Sequence, residues 1–178
     1  MEQETSTLLP DVTAPRIVEV LRRRHQGPQW TIVEEMRLGS GWGFHESRID
    51  FWALECTPRR ANQAIAYEIK VSRADFLRDV RRPAKQRGAL LYSNEFFYVS
   101  PAGVIKAEEV PIFAGLIEID AIVPVHDEPY YAGTVIVRAP YRDKMRPSWP
   151  FIVSLLRRVP VAEGAPSLAP QGAKEGGA

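Results

Sequence analysis

The sequence predicts an α/β fold: a mixed central sheet with helices on both of its faces. Two observations carry this. Helix-like and strand-like segments alternate in the order helix, strands, helix, strand, strand. The chain also has 178 residues with 45% hydrophobic content, enough for one sizeable core. A single domain over residues 14–160 is expected, with a flexible tail at 1–13 and a disordered one at 161–178, which is rich in Ala, Gly and Pro.

The first helix is expected from Pro15 to Arg24, with Thr13 as N-cap and Pro15 in the first turn. Ile17, Val20 and Leu21 mark its inner face. Arg22, Arg23 and Arg24 form a basic last turn that complements the helix dipole. Gly27-Pro28 ends the helix, and Trp30 to Met36 reads as a strand. A Gly-rich loop, Gly39 to His45, follows; its Trp42 and Phe44 either stack on bases or fold onto the core. Arg48–Leu54 and Ala64–Val71 read as two more strands, joined by a turn containing Pro58 and Asn62. Ser72 and Asp75 make a capping box for a helix through Val80. Pro83 interrupts it and opens a second helical stretch to Tyr92. Later strands are expected at Glu95–Ser100, Ala114–Ile119 and Gly133–Arg138, and a closing helix at Trp149–Arg158.

Chemistry concentrates in the second and third strands. Side chains alternate faces along a strand. Ile49, Phe51 and Ala53 therefore share one face, and Asp50, Trp52 and Leu54 the other. Ile65, Tyr67, Ile69 and Val71 look like core, which leaves Ala66, Glu68 and Lys70 on the opposite face. A hairpin brings Asp50 opposite Glu68 within one residue of register. Unpaired buried charge is costly, so two carboxylates and an ammonium on one face need compensation. A divalent cation beside a phosphate supplies it, because Mg²⁺ takes one or two carboxylates and keeps water and phosphate as its other ligands. The alternative is a half-exposed hairpin bearing an ordinary ladder of ion pairs.

The combination Asp50, Glu68-Ile69-Lys70 and the run Val71-Ser72-Arg73-Ala74-Asp75-Phe76-Leu77-Arg78 resembles the PD-(D/E)XK nuclease superfamily, and within it the small MmcB-like DNA-repair branch. The resemblance spans roughly Trp30 to Asp120. Ile49 stands where the superfamily name has Pro, and no Gln-x-x-x-Tyr follows. The resemblance implies a restriction-endonuclease-like sheet and a Mg²⁺- or Mn²⁺-dependent DNA endonuclease. It implies Asp50, Glu68 and the Ile69 carbonyl as metal ligands and Lys70 as the water-orienting or phosphate-stabilising group. It also implies an upstream acid as a further catalytic residue and metal ligand, Glu35 or Glu34, with Glu35 preferred.

The net charge of +1 gives no overall basic field. Basic residues cluster instead after the third strand: Arg73, Arg78, Arg81, Arg82 and Lys85. The last four follow i, i+3, i+4, i+7 and would form one helical stripe able to track a DNA backbone. The alternatives are a DNA-binding module that does not cleave, and a structural protein. A homodimer fits the cutting of two strands. The single cysteine, Cys56, excludes an intrachain disulfide and a Cys-rich zinc site, and is expected to be buried. The acidic, polar start and the lack of a long apolar run predict a soluble cytoplasmic protein without membrane contact.

Overall fold

A computed structural model of the chain describes residues 11–38, 48–58, 61–122 and 130–158. The Gly39–His45 loop, the C-terminal tail and most of the N-terminal tail lie outside the described residues. The elements run α1 (Ala14–Arg24), β1 (Trp30–Arg37), β2 (Arg48–Glu55), β3 (Ala64–Ile69), α2 (Arg73–Val80), α3 (Arg87–Leu91), β4 (Glu95–Pro101), β5 (Gly115–Ile122), β6 (Tyr130–Val137) and α4 (Trp149–Leu156). A 3₁₀ turn, Pro83–Gln86, joins α2 to α3.

The six strands form one sheet in sequence order. The pairs β1–β2, β2–β3 and β5–β6 are antiparallel, and β3–β4 and β4–β5 are parallel. The parallel step from β3 to β4 needs a crossover, and α2, the 3₁₀ turn and α3 provide it. Both faces of the sheet are covered. On one, Ile17, Val20 and Leu21 of α1 pack with Phe51, Ala53, Ile65, Tyr67, Phe97 and Val99. On the other, Phe76 of α2, Ala89 of α3 and Phe151 of α4 pack with Trp52, Ala66, Phe96, Tyr98 and Leu116. A sheet buried on both faces explains the nearly continuous apolar run of β4. Among the described residues, no helix is long and apolar enough to cross a membrane.

Several local expectations need correction. Thr13 occupies the N-cap of α1 without a side-chain capping bond, whereas Ser72 Oγ accepts from Asp75 N at 3.3 Å, the serine half of the expected capping box. Cys56 lies beyond the end of β2 and is exposed, not buried. The third strand stops at Ile69, so Val71 falls outside the sheet and is 45% exposed. Ile49 packs with Met36 and Val33 on the α2–α4 side, apart from Phe51. The local cause is β1: Glu35 has a left-handed backbone (φ 52°), and the β1–β2 ladder skips the Glu35–Asp50 pair. Regular alternation therefore breaks beside Asp50.

Candidate active site

The site grows from the β2–β3 register. Phe51 pairs with Tyr67 and Trp52 with Ala66, so Asp50 and Glu68 stand one step beyond, at the strand ends. Asp50 is fastened by its Oδ2, which accepts a hydrogen bond from Ile69 N at 3.0 Å. On the same face, Trp52 is buried against Phe151, and its Nε1 donates to Ser93 Oγ at 3.2 Å. The strand end thus passes abruptly from packed aromatic core to charge.

That charge is interior. Glu68 and Lys70 are only 4% and 8% exposed, so the pair is not a solvated surface ladder. Lys70 Nζ donates to Glu68 Oε1 at 2.7 Å, and Lys85 Nζ donates to the same oxygen at 2.7 Å. A third buried acid, Asp79 of α2, faces both lysines. Its Oδ1 accepts from Lys85 at 2.7 Å, and its Oδ2 lies 3.5 Å from Lys70 Nζ. Gln86 Nε2 also donates to Asp79 Oδ2, at 2.5 Å. Glu68, Lys70, Asp79 and Lys85 therefore close a ring of alternating sign. Tyr98 and Ser100, fully buried on neighbouring β4, have hydroxyls without a hydrogen-bond partner among the described residues.

Burial sets the electrostatics. It raises the Asp50 carboxyl above the ordinary range, against the Ile69 N–H, Lys70 and Arg48, which favour the charged form. It also raises Glu68, and the neighbouring Asp50 charge adds to the rise, while Lys70 and Lys85 oppose it. For Lys85, burial pulls the ammonium down, but bonds to Asp79 and Glu68 win and its pKa is raised.

The other sequence-derived candidates separate. Glu34 points to α1, where its two oxygens accept from Arg22 at 2.6 and 2.8 Å. Glu35 lies nearer the site but half exposed, held by Arg48 at 2.7 Å, and Arg48 in turn stands 3.6 Å from Asp50. Arg73 pairs with Glu109, and Arg78 with Asp75 at 3.0 Å. The single helical stripe does not form: α2 ends at Val80, and Pro83 opens a 3₁₀ turn that swings Lys85 inward. Arg78, Arg82 and Lys85 instead line a cleft of ≈ 250 Å³ with Lys70, Asp75 and Asp79, and Arg81 is not among its lining residues. Sequence reasoning missed Asp79. Its spacing of three from Phe76 on α2 was the available signal, since that period puts it on the inward face.

Do these residues suit a divalent cation? Among the described residues, no group of three or more His, Cys, Asp and Glu is placed to hold one. The expected donor set, Asp50, Glu68 and the Ile69 carbonyl, has two carboxylates. Two desolvated acids, with the Asp50 charge adding to the rise of Glu68, form a site that a hard cation would relieve. Mg²⁺, which needs few protein oxygens and retains water, fits such an open set.

Comparison with known proteins adds the fold alone. No protein-family model matches the chain, and no curated protein matches it. A solved protein of unknown function from Silicibacter pomeroyi is similar to it, with a TM-score of 0.54 and 23% identity. That match covers 84% of this chain and 86% of the other.

Proposed function

We propose that this protein is a Mg²⁺- or Mn²⁺-dependent DNA endonuclease with a restriction-endonuclease-like sheet of the PD-(D/E)XK kind, serving DNA repair, recombination or phage DNA processing. The observation that carries this reading is the convergence of Asp50, Glu68 and Lys70 at the ends of β2 and β3, beside a cleft lined by Arg78, Arg82 and Lys85. Asp50, Glu68 and the Ile69 carbonyl would hold the cation. When bound, the cation would supply Lewis-acid stabilisation of the phosphate and a more acidic water. Lys70, fixed between Glu68 and Asp79, places a positive charge where the phosphate gains negative charge. Arg78 and Arg82 bind and orient the backbone along the cleft. Glu35, paired with Arg48 at 2.7 Å beside Asp50, would serve as an auxiliary acid.

The test is plasmid and branched DNA incubated with Mg²⁺ or Mn²⁺. Cleavage is expected, lost on Asp50→Asn and Glu68→Gln and retained on Glu34→Gln, because Glu34 serves Arg22 on the other face. Salt-sensitive binding with no cutting under either metal would leave a DNA-binding module. Neither binding nor cutting would remove the reading altogether.

A further inference from the structure

The ion ring poses a problem of occupancy. Glu68 Oε1 already receives two ammonium groups. Two carboxylates and two ammoniums balance within the ring, and Asp50 stands outside it. A divalent cation arriving on Asp50 and Glu68 would meet both ammoniums at close range. Its charge repels both, which favours withdrawal of the more mobile one from the shared oxygen.

The two lysines differ in their freedom to do so. Lys70 is 10% exposed along its side chain and directly follows β3, with its own N–H tied to Val99 O at 2.9 Å. Lys85 is 35% exposed, sits on the short Pro83–Gln86 turn and borders the cleft. It also has a second anchor, Asp79 Oδ1 at 2.7 Å, that does not depend on Glu68.

We propose that Lys85 is an exchangeable counter-ion: it leaves Glu68 when a divalent cation settles there, stays on Asp79, and joins Arg78 and Arg82 in holding a substrate phosphate in the cleft. The proposal rests on the nuclease reading and deepens it. Lys85 becomes a substrate-binding residue, and Asp79 its positioning residue. Asp75 also borders the cleft, but its charge is paired with Arg78 at 3.0 Å. Cation and phosphodiester then bind cooperatively. By linkage, each raises the other's affinity by the same factor.

Two binding measurements test this without any turnover. Mn²⁺ affinity of the full chain is read by titration calorimetry, and binding of a fluorescent duplex oligonucleotide is read with and without Ca²⁺. In the wild type, Ca²⁺ is expected to tighten oligonucleotide binding about tenfold. Lys85→Gln is expected to bind Mn²⁺ about tenfold tighter in the absence of DNA, because a charge-assisted bond to Glu68 no longer competes. In the same variant the Ca²⁺ effect on the oligonucleotide should shrink to the part that direct contact between cation and phosphate supplies, and Lys85→Arg should restore it; an undiminished effect refutes the exchange. If wild-type protein binds Mn²⁺ and Lys85→Gln binds it no more tightly, the exchange is refuted and the metal site stands. Oligonucleotide binding indifferent to Ca²⁺ in the wild type refutes the coupling even if Lys85→Gln fails to fold. Absence of Mn²⁺ binding to the wild type overturns both the exchange and the metal site.

Discussion

Asp79→Asn separates a buried ion ring from a surface ladder. The substitution keeps the size of the side chain and removes its charge. Lys85 then loses a charge-assisted bond of 2.7 Å, and Lys70 loses a partner at 3.5 Å. A bond to a charged group is worth about 1.5–3 kcal/mol net. Breaking one member of a buried pair costs about 3–5 kcal/mol when the remaining charge has no other partner. Here both lysines retain Glu68, and Lys85 reaches solvent at 35% exposure, so the lower figure governs. The expected loss is about 2–3 kcal/mol. For a chain of this size that lowers the melting temperature by roughly 5–10 °C. Urea unfolding monitored by tryptophan fluorescence reads the free energy, and a double-mutant cycle with Lys85→Gln reads the coupling. A loss below about 0.5 kcal/mol, the range of exposed ion pairs, would refute the buried ring.

Two further predictions concern acid and base. His25 is buried, its Nε2 is 2.7 Å from Tyr67 Oη, and burial, then the Arg24 charge, lowers its pKa from 6.5 to about 4. The folded state resists the proton, so this contribution is complete above pH 6.5 and is lost as the pH falls towards 4; a His25→Gln comparison across that window should reveal a pH-dependent difference of about 3 kcal/mol. Asp50 has the opposite sign: its raised pKa means stability that is full below about 3.8 and is lost as the pH rises through the folded value. Asp50→Asn should therefore melt higher than wild type at neutral pH and converge with it in acid, while losing cleavage; an equal or lower melting temperature at neutral pH would contradict the desolvation argument.

Much of the fold was legible because its cause is local. The strand-like segments Arg48–Leu54 and Ala64–Val71, joined by a turn with Pro58 and Asn62, announce a hairpin, and its register falls within the one residue that the sequence leaves open. Ser72 and Asp75 announce the start of α2, and Pro83 its interruption. What stayed hidden depends on distant packing or on backbone irregularity. Asp79 reads in sequence as one acid among arginines, and only the 3₁₀ turn after it brings Lys85 and Gln86 back onto its carboxylate. The same turn breaks the arginine stripe that a continuous helix would have built. Ile49 changes layer because Glu35 takes a left-handed conformation, which no alternation rule anticipates. Tyr98 and Ser100 looked like plain β4 core, yet Tyr98 lies close enough to Asp79 and Glu68 for their charges to help raise its pKa, after burial.

Anomalous scattering from a crystal soaked in Mn²⁺ tests the account at its centre. A peak within bonding distance of both an Asp50 and a Glu68 oxygen is the expected result, with Lys85 Nζ withdrawn from Glu68 and still bonded to Asp79. A well-soaked crystal with no peak there, and Lys70 and Lys85 both still on Glu68 Oε1, would mean that the lysines are the acid's permanent partners and that no metal chemistry occurs at this strand end.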